Sequence, residues 1–410
     1  MKYDYVIIGN SAAAAGAVSG IREKDKKGSL LIISDENHHI YSRPLISYLL
    51  KGAVSEENMN YRPETFYADN KADTMLGKKA VSVDGKKKIV KLESGEEIAY
   101  KKLLLATGSK PFVPPVKGLE KVKNMFTFMK YDDVLAIREK LTDGMKVLIV
   151  GAGLIGLKAA EALEHYNAKM TVVDLSNRIL QSILDESTAA VVQKHIEQKG
   201  VRFILGTSAA EFSENSAMLA NGEKVDFDML IMAVGVRPET ALCESAGGEI
   251  NRGIVTDKKQ AVKGVKDIYA AGDCTVSTDI TDGKEKIIAI LPNAYQQGVV
   301  AGKNMAGGSE TSENLFPMNA IGFFGLHIIT AGSYAGTVYE TADGENVKKL
   351  FYSDNKLNGF ILTGDKIARA GIYTALIRER TPIDSIDFKL IAENPALAAF
   401  SGERRREILQ

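Results

Sequence analysis

Short unbroken apolar runs alternate with helically spaced ones along this chain. Tyr3–Ile8 is a solid run that reads as a buried strand, Ala12–Lys24 carries small apolar residues at helical spacing, and Ser29–Ser34 is a second solid run. The same succession returns with a strand at Lys146–Val150, a glycine loop at Gly151–Gly156, a helix at Leu157–Tyr166 and a strand at Met170–Asp174. Solid runs mark parallel strands covered on both faces, and parallel pairing requires helical crossovers. The pattern therefore predicts an α/β chain built on two Rossmann-like units. Between Ala80 and Ile98 the runs shorten and alternate, with Asp84-Gly85 and Ser94-Gly95 suited to tight turns.

Punctuation divides the chain further. Lys110–Gly118 carries three prolines and reads as a crossing between domains, with a return near Gly235–Glu239. Gly307-Gly308 and the polar run to Asn314 precede a further domain. The expected organisation is a first nucleotide-binding domain from 1–110 and 239–314, a second from 111–238, and a C-terminal α+β domain from 315–410. A length of 410 residues accommodates that number of cores.

Composition narrows the function classes. Lysine plus arginine total 52 and aspartate plus glutamate total 52, so no net field favours nucleic acid or an anionic membrane. No apolar run reaches the ~18 residues of a spanning helix. The apolar stretch Val6–Val18 contains the glycine and alanine spacing of a nucleotide loop and follows Asp4, which argues against a signal peptide. Two cysteines, Cys243 and Cys274, are too few for a disulfide scaffold and are not spaced as a redox or metal pair. A cytoplasmic protein is expected, as a monomer or homodimer.

The chemistry is concentrated in the two loops. Gly151, Gly153 and Gly156 form a full GxGxxG between a strand and a helix. They allow, in turn, a tight turn, close approach to a pyrophosphate, and helix–strand packing. Asp174 ends the next strand, where a carboxylate accepts from a ribose 2′-hydroxyl and repels a 2′-phosphate, favouring NADH. Arg178 is placed to soften that preference. The first loop keeps only Gly9, with Ser11 and Ala14 at the other two positions, and Asp35 is its candidate ribose acid.

Three further segments occur in a telling order: Ala106-Thr107-Gly108-Ser109-Lys110-Pro111, Ala233-Val234-Gly235-Val236-Arg237-Pro238 and Ile268-Tyr269-Ala270-Ala271-Gly272-Asp273. With the two loops they resemble the pyridine nucleotide-disulfide oxidoreductase superfamily, whose fold is glutathione-reductase-like. Tyr41-Ser42-Arg43-Pro44, followed by Leu45-Ile46-Ser47, resembles the branch containing rubredoxin and ferredoxin reductases, apoptosis-inducing factor and the flavin portion of large nitrite reductase subunits. The resemblance implies FAD and NADH as cofactors. It places Asp273 on the ribityl chain, Gly9, Ser11, Ala14 and Asp35 on the phosphates and ribose, and Arg43 and Pro44 against the flavin nucleotide. Ala80 would meet adenine, Thr107 and Gly108 would close the pocket, and Gly235 belongs to the second nucleotide site.

Two departures bear on mechanism. The segment His38-His39-Ile40-Tyr41-Ser42-Arg43 lacks the cysteine that disulfide- and peroxide-reducing relatives place at the flavin. Electrons are therefore expected to leave directly to a small redox protein, rubredoxin or ferredoxin-like. The alternatives are an NADH oxidase or diaphorase, a nitrite reductase flavin module, and a redox sensor. Relatives also pair a lysine with a glutamate at slots that here hold Tyr48 and Lys158. Lys158, assisted by Tyr48, is expected to supply a positive charge near the flavin, against the plainer reading of a solvated helix lysine. The basic triplets Lys86–Lys88 and Arg404–Arg406 are solvated faces or docking sites for an acidic carrier, and Phe323 or Phe324 is a candidate for approach to the flavin face.

Overall fold

The computed structural model describes residues 1–409. Its first unit opens with β1 (Lys2–Ile8), α1 (Ala12–Lys24) and β2 (Leu30–Ser34), followed by the short helices α2 (Ile46–Leu50) and α3 (Phe66–Asp69). Next come β3 (Ala72–Leu76), β4 (Ala80–Asp84), β5 (Ile89–Leu92) and β6 (Glu97–Leu105). They form a sheet in the order β3-β2-β1-β6-β5-β4. The central pairs β1–β2, β1–β6 and β2–β3 are parallel, whereas β4–β5 and β5–β6 are antiparallel. This split follows the sequence, because β1 and β2 are solid apolar runs while β4 and β5 alternate beside tight turns.

The chain then runs through β7 (Ser109–Pro111), β8 (Met125–Phe126) and α4 (Tyr131–Lys140) into β9 (Lys146–Val150), α5 (Leu154–Leu163), β10 (Lys169–Asp174), α6 (Glu186–Glu197) and β11 (Arg202–Leu205). A small antiparallel sheet of β12 (Ala209–Ser213), β13 (Ser216–Leu219) and β14 (Lys224–Asp226) precedes β15 (Met229–Met232). The second parallel sheet has the order β11-β10-β9-β15-β8. The proline-rich crossing begins as a strand rather than a free linker, since β7 pairs antiparallel with β16 (Val236–Pro238). The outward and return crossings thus form one two-stranded ribbon.

After α7 (Ala241–Ala246), β17 (Ile250–Asn251) and β18 (Gly253–Val255), strand β19 (Ile268–Ala270) returns to the first sheet and pairs parallel with β6. Strands β20 (Thr275–Thr278) and β21 (Glu285–Lys286) lead to α8 (Leu291–Met305), which lies against α1. That contact runs backbone to backbone. A Cβ on Gly16 would stand 2.1 Å from the Tyr295 carbonyl oxygen, and one on Gly298 would stand 2.0 Å from that of Ala13. The alanine- and glycine-rich composition of α1 is therefore explained by its partner helix.

The C-terminal sheet comprises β22 (Met318–Phe323), β23 (Leu326–Gly332), β24 (Thr337–Asp343), β25 (Asn346–Ser353) and β26 (Lys356–Thr363), in the order β22-β23-β26-β25-β24. Helices α9 (Ala370–Glu379), α10 (Phe388–Glu393) and α11 (Gly402–Leu409) follow. One core joins Phe360, Leu350 and Leu362 to Tyr373 and Ile391 of these helices. On the other side, Phe323, Ile328 and Phe351 share a core with Leu157, Val172 and Val192 of the second unit and Leu49 of α2. That shared core fixes the C-terminal sheet beside the parts of both units that face one another. No helix among the described residues is long and apolar enough to cross a membrane.

Candidate active site

Both glycine loops open onto one cavity of about 1250 Å³. Gly9 and Ser11 from the β1–α1 turn meet Gly151 and Gly153 from the β9–α5 turn across it, and Arg43, Thr107 and Asp273 line its wall. The loops are made the same way. Gly9 has φ +113° and Gly151 φ +118°, a region that side chains disfavour, and each lies against a neighbouring carbonyl. A Cβ on Gly156 would stand 1.9 Å from the Gly151 oxygen, so this glycine serves helix–strand packing behind the loop.

Of the residues singled out by sequence, Gly9, Ser11, Asp35, Arg43, Pro44, Thr107, Gly108, Gly151, Gly153, Lys158, Asp174, Gly235 and Asp273 all line this cavity. Ala14, Ala80, Gly156 and Tyr48 are not part of its wall. Ala14 is buried inside α1, and Ala80 is half-buried at the start of β4. Tyr48 is 41% exposed on α2, and its ring reaches Lys158 from outside the wall. Neither Phe323 nor Phe324 lines the cavity; both are packed into the core behind it.

Asp35 of the first unit is held from the second. Lys130, just before α4, places its ammonium 2.8 Å from Asp35. Burial opposes ionisation of Asp35, but Lys130 together with the Asp35 and Glu36 backbone N–H groups outweighs it and holds the carboxyl below its ordinary value. Arg43 donates to the Met129 carbonyl at 2.9 Å and to Glu36 at 3.0 Å, and Glu36 also accepts from the Tyr41 hydroxyl at 2.7 Å. Glu36 lines the cavity and was missed by sequence reasoning. Its signal was the Asp35-Glu36 pair closing β2, where only one acid was sought.

Asp273 behaves differently. Burial pushes its carboxyl up, and the Arg43 guanidinium opposes that push only in part. A raised carboxyl favours folding below the ordinary aspartate range, and that contribution is lost as pH rises through the shifted value. Above that value the ionised group costs stability, which hydroxyl donors from a bound ligand would offset. Asp273→Asn is expected to raise the melting temperature of flavin-free protein by about 2–4 °C. The same variant should weaken FAD at least about tenfold in a binding titration.

In the second unit, Asp174 accepts from the Ala152 N–H at 2.6 Å and from the Ser176 N–H at 2.7 Å, which ties β10 to the glycine loop. Nearby, Arg178 Nε and Thr207 Oγ1 are buried without hydrogen-bond partners, and both residues line the cavity. Orphaned donors beside a glycine loop are the chemistry expected where a ribose and phosphate bind. The donors, the arginine and the two glycine cradles fit two dinucleotides.

Lys158 is not a solvated helix lysine. Its side chain is 14% exposed, pairs with Glu161, and stands 4.8 Å from the Tyr48 ring centroid. Cys243 and Cys274 are fully buried free thiols that do not line the cavity, Cys274 lying behind its wall next to Asp273. Burial pushes Cys243 up to about 12 and also raises Cys274, which suppresses the reactive thiolate. His38 and His39 turn to different partners, Asp132 and the Arg62 carbonyl, and no metal-binding cluster occurs among the described residues. In the basic triplets, Lys87 pairs with Asp84, Lys88 with Asp267, and Arg404 with Glu379 and Glu407, so much of their charge is locally spent.

The chain is similar to known proteins along most of its length. The chain is 29% identical over 404 residues to the NADH-dependent phenylglyoxylate dehydrogenase subunit epsilon of Aromatoleum evansii, covering 95% of each. It is 29% identical over 310 residues to the rubredoxin-NAD(+) reductase of Pseudomonas putida, covering 74% of this chain and 80% of that one. The fold matches that in the covalent putidaredoxin reductase–putidaredoxin complex with a TM-score of 0.87 at 20% identity, over 99% of this chain and 98% of the other. Residues 3–298 match the family described as pyridine nucleotide-disulphide oxidoreductase. The chain belongs to that family and is an NADH-dependent FAD oxidoreductase.

Proposed function

We propose that this protein passes electrons from NADH through FAD to a small one-electron carrier, with rubredoxin the favoured acceptor. The observation that carries the reading is one cavity shared by both glycine loops with no cysteine in its wall. When bound, the two cofactors supply hydride transfer from nicotinamide to flavin and release of single electrons. The chain's part is geometric and electrostatic. Gly9 and Ser11 offer the turn into α1 to one pyrophosphate, and Gly151 and Gly153 offer the turn into α5 to the other. Arg43 supplies a cation beside Asp273, whose carboxylate suits ribityl hydroxyls. Lys158 supplies a charge on the wall near the flavin, with Tyr48 packed behind it. Holding both rings in one cavity removes most of the orientational cost of transfer.

The similarity to a rubredoxin-NAD(+) reductase supports the carrier assignment. A second reading has its own support: the match to a subunit of an NADH-dependent dehydrogenase spans 95% of both chains. On that reading the protein is the NADH-reactive subunit of a larger oxidoreductase. Anaerobic stopped-flow mixing separates the cases. Flavin bleached by NADH should be reoxidised by rubredoxin at least about a hundredfold faster than by air-saturated buffer. Faster reoxidation by oxygen would replace the carrier reading with an NADH oxidase. Indifference to both would overturn it in favour of a subunit or sensor.

A further inference from the structure

The Glu161 carboxylate joins three parts of the molecule that are distant in sequence. It lies on α5 three residues after Lys158, and the two side chains are 12% and 14% exposed. One oxygen pairs with the Lys158 ammonium. The other accepts the Phe324 backbone N–H at 3.1 Å and lies 3.9 Å from the Lys51 ammonium at the end of α2. Lys158 in turn donates to the Gly322 carbonyl at 3.3 Å and stands 6.0 Å from the Phe323 ring centroid. The pair therefore links the second nucleotide unit to α2 and to the tip of the β22–β23 hairpin.

That tip has an unusual backbone. Phe323 pairs with Leu326, so Phe324 and Gly325 are the two central residues of the turn, with φ +51° and +91°. Positive φ at both positions is the I′ hairpin geometry, which asparagine and glycine adopt readily and phenylalanine does not. The Phe324 N–H goes to Glu161, and its carbonyl accepts from His195 Nε2 of α6 at 3.1 Å. Both polar groups of the strained residue are thus held by helices of the second unit. The residue is 5% exposed, in the core shared with that unit.

We infer that Glu161 is a positioning residue that fixes the Lys158 ammonium on the cavity wall and couples that placement to the Phe324–Gly325 turn. The inference rests on the proposed function, in which Lys158 faces the flavin. A screened surface pair would do little. A pair this buried is different, because removing Glu161 leaves the Lys158 charge uncompensated. In Glu161→Gln the Gly322 carbonyl and the Tyr48 ring still keep the ammonium at the wall, now without its counter-charge. Glu161 and Lys158 should therefore move the flavin's redox balance in opposite directions, whereas a carboxylate that only braces the turn would not.

The test uses the purified flavoprotein as wild type, Glu161→Gln, Lys158→Gln and the double variant, equilibrated with defined NADH/NAD⁺ ratios. Glu161→Gln keeps an amide oxygen for the Phe324 N–H and removes only the charge. It should lower the ratio at half-reduction about tenfold, and Lys158→Gln should raise it about tenfold. The double variant should return to within about threefold of wild type, since the charges cancel as a unit. A second readout needs no turnover: acetylation of Lys158 by N-hydroxysuccinimide acetate, followed by mass spectrometry. It should quicken at least about fivefold in Glu161→Gln and in Glu161→Ala as the amine loses its ion-pair partner. A half-reduction ratio within about twofold of wild type in Glu161→Gln, with unchanged labelling, would overturn the inference. Failure of NADH to reduce the wild-type flavin would instead count against the proposed function, and the labelling would still decide whether Glu161 holds Lys158.

Discussion

Gly9→Ala is expected to yield folded protein that purifies without its flavin. A Cβ at this position would stand 2.0 Å from the Ala106 carbonyl oxygen and 2.7 Å from its carbon. The loop cannot give way without breaking the hydrogen bonds that pin it on both flanks. Gly9 N–H donates to Ile33 of β2, and Ala106 N–H donates to Ile8 of β1, both at 2.8 Å. The positive φ alone costs about 1–3 kcal/mol with a side chain present, before the clash is counted. Relief requires the loop to move out of the wall where the pyrophosphate would sit. Flavin content, read by visible absorbance and by extraction, should fall at least about tenfold. The surrounding sheet should survive, since the clash lies at the strand ends.

Gly151→Ala should strike the second loop in the same way and leave the first untouched. Its Cβ would meet the Ala233 oxygen at 2.2 Å and the Val234 nitrogen at 3.0 Å. Gly151 N–H donates to Val173 at 2.8 Å and Ala233 N–H to Val150 at 2.7 Å, so this loop is also pinned between neighbouring strands. The variant should purify yellow and be reduced normally by dithionite. Its KM for NADH should rise at least about a hundredfold, or saturation should be lost altogether. Steady-state kinetics beside a dithionite titration separates this outcome from general misfolding. Normal NADH kinetics would show that the β9–α5 loop does not cradle the nicotinamide dinucleotide.

Where the signal was local, the chain could be read closely. Helix α1 spans Ala12–Lys24 and β9 spans Lys146–Val150, as the apolar pattern predicts. Helix α5 begins at Leu154 rather than Leu157, because the second half of GxGxxG already lies in the helix and Gly156 is one of its packing residues. The β7–β16 ribbon was not legible, because each three-residue strand exists only through the other, more than a hundred residues away. Glu36 and Glu161 escaped for a related reason: an acid's role depends on the partner it meets, and Arg43, Phe324 and Lys158 reach them from other turns and segments. Lys158 was found by sequence, but its buried setting was not, since the residues that cover it come from α2 and the C-terminal hairpin. The eroded first loop is the converse case. Ala14 stands where the second loop has a glycine, and the glycines of α1 fall further along, at Gly16 and Gly20, against α8.

The central claim is that FAD is the sole redox centre between NADH and the acceptor. An anaerobic titration of the purified flavoprotein with NADH tests it most directly. A flavin accepts two electrons, and so does a disulfide, so the equivalents needed for full reduction count the centres. Complete bleaching at one NADH per FAD is the predicted result. A requirement for two, or no bleaching at all, would contradict the account.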